Sequence, residues 1–136
     1  MKTKHLLFLS LLLTLLASCS KEDSKTEYDY TVLGIKTITV GQTVIALDSC
    51  GFPVKGQTGI AIIGTGYGDN TPIRNYDLVV SNTIPEKESI SVKSLYTDIL
   101  VSIEKSTDAK YYNITVSRKG FDEKIIYKIG FLPKIE

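Results

Sequence analysis

Residues 67–76, Tyr-Gly-Asp-Asn-Thr-Pro-Ile-Arg-Asn-Tyr, set two aromatic rings among a carboxylate, two amides and a guanidinium. Tyr67 and Tyr76 offer flat apolar faces, while Asp69, Asn70, Arg74 and Asn75 offer planar polar groups. This mixture suits a saccharide, whose C–H faces stack on a ring and whose hydroxyls meet amides and charges. Asp69, Asn70 and Asp77 could also be read as calcium ligands. No Asp-x-Asp-x-Asp spacing supports that reading, and Asp and Asn are the ordinary residues of turns. A ligand role requires Tyr67 or Tyr76 to be exposed. A Tyr76 that opens a strand belongs to the core instead.

Other chemistries fail for want of parts. Gly64-Thr65-Gly66-Tyr67-Gly68 is glycine-rich, but Asp69-Asn70-Thr71-Pro72 follows it where a phosphate-binding fingerprint needs a helix. The one histidine, His5, and the one methionine, Met1, both precede Cys19. If the chain is cut before Cys19, 118 residues remain, with 14 basic and 15 acidic side chains and a formal charge of −1. Such a chain has no histidine for acid–base or nucleophilic catalysis and cannot build a His/Cys zinc site. Its charge does not suit a phosphate backbone, so no nucleic-acid partner is expected. No catalytic residue, metal or cofactor is assigned. A glycosidase using carboxylates alone would need two acids facing one cleft.

The cleavage reading rests on residues 1–19. Lys2 and Lys4 form a basic start, and residues 6–16 form an apolar run broken only by Ser10 and Thr14. The run is shorter than the roughly 20 residues of a spanning helix and matches a secretory signal. It ends in Leu16-Ala17-Ser18-Cys19, which resembles the lipobox of bacterial lipoproteins. The resemblance implies removal of residues 1–18, lipidation of Cys19 and retention at a membrane through two or three acyl chains. Residues 20–27 contain no apolar side chain, so residues 19–27 read as a lipidated cysteine and flexible tether. The segment is also similar to the short charged export signal of Bacteroidetes surface lipoproteins. An outer-membrane, surface-exposed location is the expectation. Cys50 cannot pair with a Cys19 that carries a thioether, so its expected role is that of a small buried hydrophobe.

Residues 28–136 read as one β-sandwich domain. Val, Ile, Thr and Tyr recur in short pieces cut by Gly, Pro, Asn and Asp, without helical spacing. Strands are predicted near 30–40, 43–47, 58–63, 76–81, 89–95, 99–104, 112–117 and 124–131. Tyr112, Ile114 and Val116 alternate with polar residues, as do Ile125, Tyr127 and Ile129 after a turn at Arg118-Lys119-Gly120. They predict a hairpin with one buried face. Of the neighbours Tyr111 and Tyr112, opposite faces of a sheet leave at least one outside the core.

The stretch from Val54 through Gly68, with Ile99-Leu100-Val101-Ser102-Ile103, the strand from Tyr111 to Val116, Gly120 and Phe131, resembles an IPT/TIG domain. The resemblance covers about residues 44–132 and implies an immunoglobulin-like antiparallel sandwich of seven to eight strands. It also implies a non-catalytic module that binds a glycan or protein, or else an accessory subunit docking a partner envelope protein.

Overall fold

The computed structural model describes residues 28–67 and 72–132, with Tyr67 described by its backbone alone. The expected signal peptide, tether and Cys19 lie outside these residues, as do Gly68, Asp69 and Asn70.

The chain forms an all-β sandwich of eight strands. Strands β2 (Thr43–Ala46), β1 (Ile35–Val40) and β5 (Ile90–Ser94) make a three-stranded sheet in that order. Strands β3 (Ile60–Tyr67), β4 (Ile73–Val80), β8 (Lys124–Phe131), β7 (Tyr111–Arg118) and β6 (Ile99–Lys105) make a five-stranded sheet. The predicted β7–β8 hairpin forms with Ser117 opposite Lys124. The expectation of purely antiparallel sheets is corrected at one place: β4 and β8 run parallel, Ile73 beside Lys124 through Val80 beside Phe131. The 43 residues between Val80 and Lys124 leave ample length for the crossover a parallel pair requires.

The first predicted strand is too long. Residues 30–33 form a 3-10 turn instead. The Asp29 carboxylate accepts from the Thr31 amide at 3.1 Å, a local bond that competes with strand pairing. Gly34, at φ 55°, then reverses the chain in a conformation other residues resist. Within β1 a register shift between Ile35 and Thr37 lets both Ile35 and Ile38 face inward although they are three apart. The strand predicted to stop at Ile63 continues through Gly64 and Gly66 to Tyr67, because β4 pairs with it throughout.

The core fills the space between the sheets. Tyr112, Ile114 and Val116 of β7 and Ile125, Tyr127 and Ile129 of β8 are all buried, as their alternation predicts. Facing them from the smaller sheet are Ile35, Ile38, Val40, Ile45 and Ile90. Buried tyrosines need partners for their hydroxyls. Tyr112 donates to the Pro85 carbonyl at 2.8 Å, and Tyr127 donates to the Gly51 carbonyl. Cys50 is buried as expected, but it is disulfide-bonded rather than a simple apolar filler.

The sandwich has two distinct ends. At the N-terminal end the 3-10 turn lies beside the loops 95–98 and 119–123. The far end carries the β1–β2 turn at Gly41-Gln42, segment 81–89, the β6–β7 turn at 106–110, and Leu132.

Candidate functional site

Of the predicted loop residues, the described Arg74, Asn75 and Tyr76 do not share a surface. Strand β4 alternates, so Arg74 and Tyr76 point into the core while Asn75 and Asp77 point out. Tyr76 packs edge-on against Phe52, with centroids 5.2 Å apart, and lies 5.6 Å from Tyr127. The Arg74 guanidinium sits 4.1 Å from the Tyr30 ring centroid. The saccharide face expected of this segment therefore loses Arg74 and Tyr76. Asn75 remains exposed. Asp69, Asn70 and the Tyr67 ring lie outside the described residues.

A different surface gathers ligand chemistry. Gly130 of β8 stands directly opposite Tyr111 of β7 and beside Val79 of β4, on the outward face of the larger sheet. With no side chain there, the sheet surface sinks into a hollow of about 390 Å³. Tyr111, Val79, Ile63 and Leu132 give it apolar walls. Asp77, Lys110 and Lys128 bring charge to it. The size falls within the range of small-ligand clefts, roughly 300–1,000 Å³. The Lys128 ammonium lies 4.4 Å from the Tyr111 centroid, where the ring's negative face attracts it. Asp77 is the cross-strand partner of Lys128, and no ion pair joins these two described residues. The hollow thus offers the aromatic residues Tyr111 and Phe131, one carboxylate acceptor and two ammonium donors. Asp77 is the one acid among its lining residues.

A second recess lies at the far end, lined by Gln42, Thr43, Ser81, Asn82, Thr83 and Pro85. The Asn82 amide donates to the Val40 carbonyl and the Thr43 hydroxyl, both at 3.3 Å, which ties the two sheets together. Its chemistry is polar and uncharged, with no ring for a sugar face. Among the described residues no group of three or more His, Cys, Asp or Glu could hold a metal ion.

The titrating groups with displaced values belong to the scaffold. Burial, then the neighbouring Tyr76 and Asp48, push the Tyr127 phenol well above its ordinary range. Burial, then Glu86 and Glu88, raise Tyr112. The Ser106 hydroxyl holds the Asp108 carboxyl below its usual value.

Comparison with protein families, with curated proteins and with solved structures finds no match. The site must be read from its own geometry. Sequence reasoning named the Tyr111–Tyr112 pair but not the hollow. Gly130, small among Ile129 and Phe131, was the available signal, and its meaning depends on the register that sets Tyr111 across from it.

Proposed function

We propose that this chain is a lipid-anchored envelope protein whose sandwich is a non-catalytic binding module, with the Tyr111–Gly130 hollow as its saccharide site. The hollow carries the reading: a ring, a carboxylate and ammonium groups converge on a concave, mostly apolar surface, the composition sugars need. The anchor reading is supported by the basic start, the short apolar run and Ala17-Ser18-Cys19. The IPT/TIG-like assignment and the outer-membrane, surface-exposed location belong to the same proposal.

A glycan array probed with the detergent-solubilised, full-length lipoprotein tests the site. Tyr111→Ala should weaken binding at least tenfold, about 1.4 kcal/mol. Gly130→Ala is a cleaner probe. Its added Cβ would meet nothing nearer than the Leu78 carbonyl oxygen and Val79 Cγ2, both at 3.8 Å, so the fold is kept while the hollow shrinks. Undiminished binding in both variants would refute the site.

The anchor is tested by acyl labelling and by intact mass without reductant. Cys19→Ala should abolish labelling. A mature chain found unacylated, with both cysteines oxidised, would overturn the lipoprotein reading.

One observation favours a docking subunit as the second reading. Strand β6 is an edge strand, and Leu100 and Val101 on its two faces are 57% and 41% exposed. An edge with apolar residues is a template for another chain. Silence on the array, together with an envelope partner lost in Val101→Lys, would favour it.

A further inference from the structure

We infer that the N-terminal end of the sandwich rests on the bilayer surface through Leu95, Tyr96 and Phe121. These residues are 65%, 39% and 43% exposed. They come from two loops, one between β5 and β6 and the other between β7 and β8, and one side chain fastens them together. The Arg118 guanidinium lies 3.9 Å from the Tyr96 centroid and 4.8 Å from that of Phe121. Its Nε donates to both Asp98 carboxylate oxygens at 2.9 and 3.0 Å, and its Nη1 donates to the Val32 carbonyl at 2.9 Å. The Leu95 amide donates to the Gly34 carbonyl at 2.8 Å, and the Tyr96 amide to the Ser94 hydroxyl at 3.1 Å. Tyr96 sits so close over Gly34 that a Cβ there would lie 2.7 Å from its ring. The patch is thus held in place before anything covers it, so covering it costs little side-chain entropy. Arg118 also neutralises Asp98, which removes one charge that would oppose an anionic surface.

The chain itself says what covers this end. Twenty-seven residues precede Tyr28, and they join the sandwich here. The Asp29 amide donates to Glu123 Oε2 at 2.9 Å, two residues beyond Phe121. If Cys19 is lipidated, residues 19–27 connect the acyl chains to this end and reach at most about 30 Å. The tether therefore keeps the patch at high effective concentration near the bilayer. A tyrosine, a phenylalanine and a leucine beside a guanidinium are the composition of an interfacial contact. The inference rests on the lipoprotein reading of Cys19.

The protein has no tryptophan, so one introduced indole reports alone. Full-length lipoprotein carrying Phe121→Trp is reconstituted into phosphatidylethanolamine/phosphatidylglycerol vesicles with brominated acyl chains. Thr107→Trp, exposed in the far-end turn, is the control. The indole at position 121 should be blue-shifted and lose most of its emission, while that at position 107 stays bright. Adding Leu95→Ser and Tyr96→Ser to the Phe121→Trp chain should restore the emission without releasing the protein. A vesicle-bound chain with both indoles bright would overturn the inference. An indole at 121 that is blue-shifted yet unquenched would overturn it in favour of a protein partner. Wild-type chain that leaves the vesicles would overturn the anchor reading, and the inference with it.

Discussion

Tyr76, Tyr112 and Tyr127 are core rings, whereas Tyr111 lies on the outward face of the same sheet. Tyr127 is a core ring whose hydroxyl must donate to Gly51, and burial makes its phenolate costly. Because the folded value is raised above the unfolded 10.0, the stability this preference contributes is complete below about pH 10. It is lost as pH rises through the folded value, and Tyr112 adds to the loss in the same sense. Tyr127→Phe should cost about 1–3 kcal/mol at neutral pH, since the Gly51 carbonyl loses its donor. It should also reduce the alkaline decline, and urea unfolding at neutral and alkaline pH checks both. Ala109, at φ 58° in the β6–β7 turn, is the one described non-glycine residue at positive φ. Ala109→Gly removes a strain of about 1–2 kcal/mol at an entropic cost somewhat smaller, so thermal unfolding should show a small gain. The alternation of their strands already set Tyr112 and Tyr127 on a buried face, whereas Tyr76 was read as a candidate ligand residue. Their roles follow from strand parity and from what lies across the sheet.

Among the elements, β7 and β8 were legible because each alternates cleanly and one face of each is buried. The start of β1 was not. Its apolar residues continue back to Tyr30, but Asp29 captures the Thr31 amide and Gly34 turns the chain. Strand β3 was misjudged in the other direction, since glycines that signal a turn are held in a ladder when a partner strand pairs with them. Strand β6 carries a prediction of its own. Among the described residues its edge pairs with no strand but β7, and Leu100 and Val101 are open. Val101→Lys should lower any concentration-dependent self-association while leaving the melting temperature within a few degrees, as a surface change does. Sedimentation at rising concentration measures it.

For the whole molecule, the parallel β4–β8 pair decides which loops share an end. It brings Asp77, Val79 and Gly130 onto one outward face, while Arg118 and Glu123 gather Tyr96, Phe121 and Asp29 at one end. The Tyr111–Gly130 hollow on the larger sheet and the exposed Leu95, Tyr96 and Phe121 then face different surroundings. If Cys19 carries a thioether, positions 19 and 50 close no loop, and a melting temperature insensitive to reductant is expected. A loop closed between positions 19 and 50 would instead lose about 3–4 kcal/mol on reduction, which calorimetry with and without dithiothreitol resolves. By itself the sequence determined the β class and the buried faces of the last hairpin. These depend on local alternation and composition, which neighbours in sequence carry. Only the tertiary structure decided that Tyr76 and Arg74 are buried and that Tyr111 borders a hollow. Those facts depend on register between strands far apart in the chain, where a shift of one residue moves every side chain to the other face.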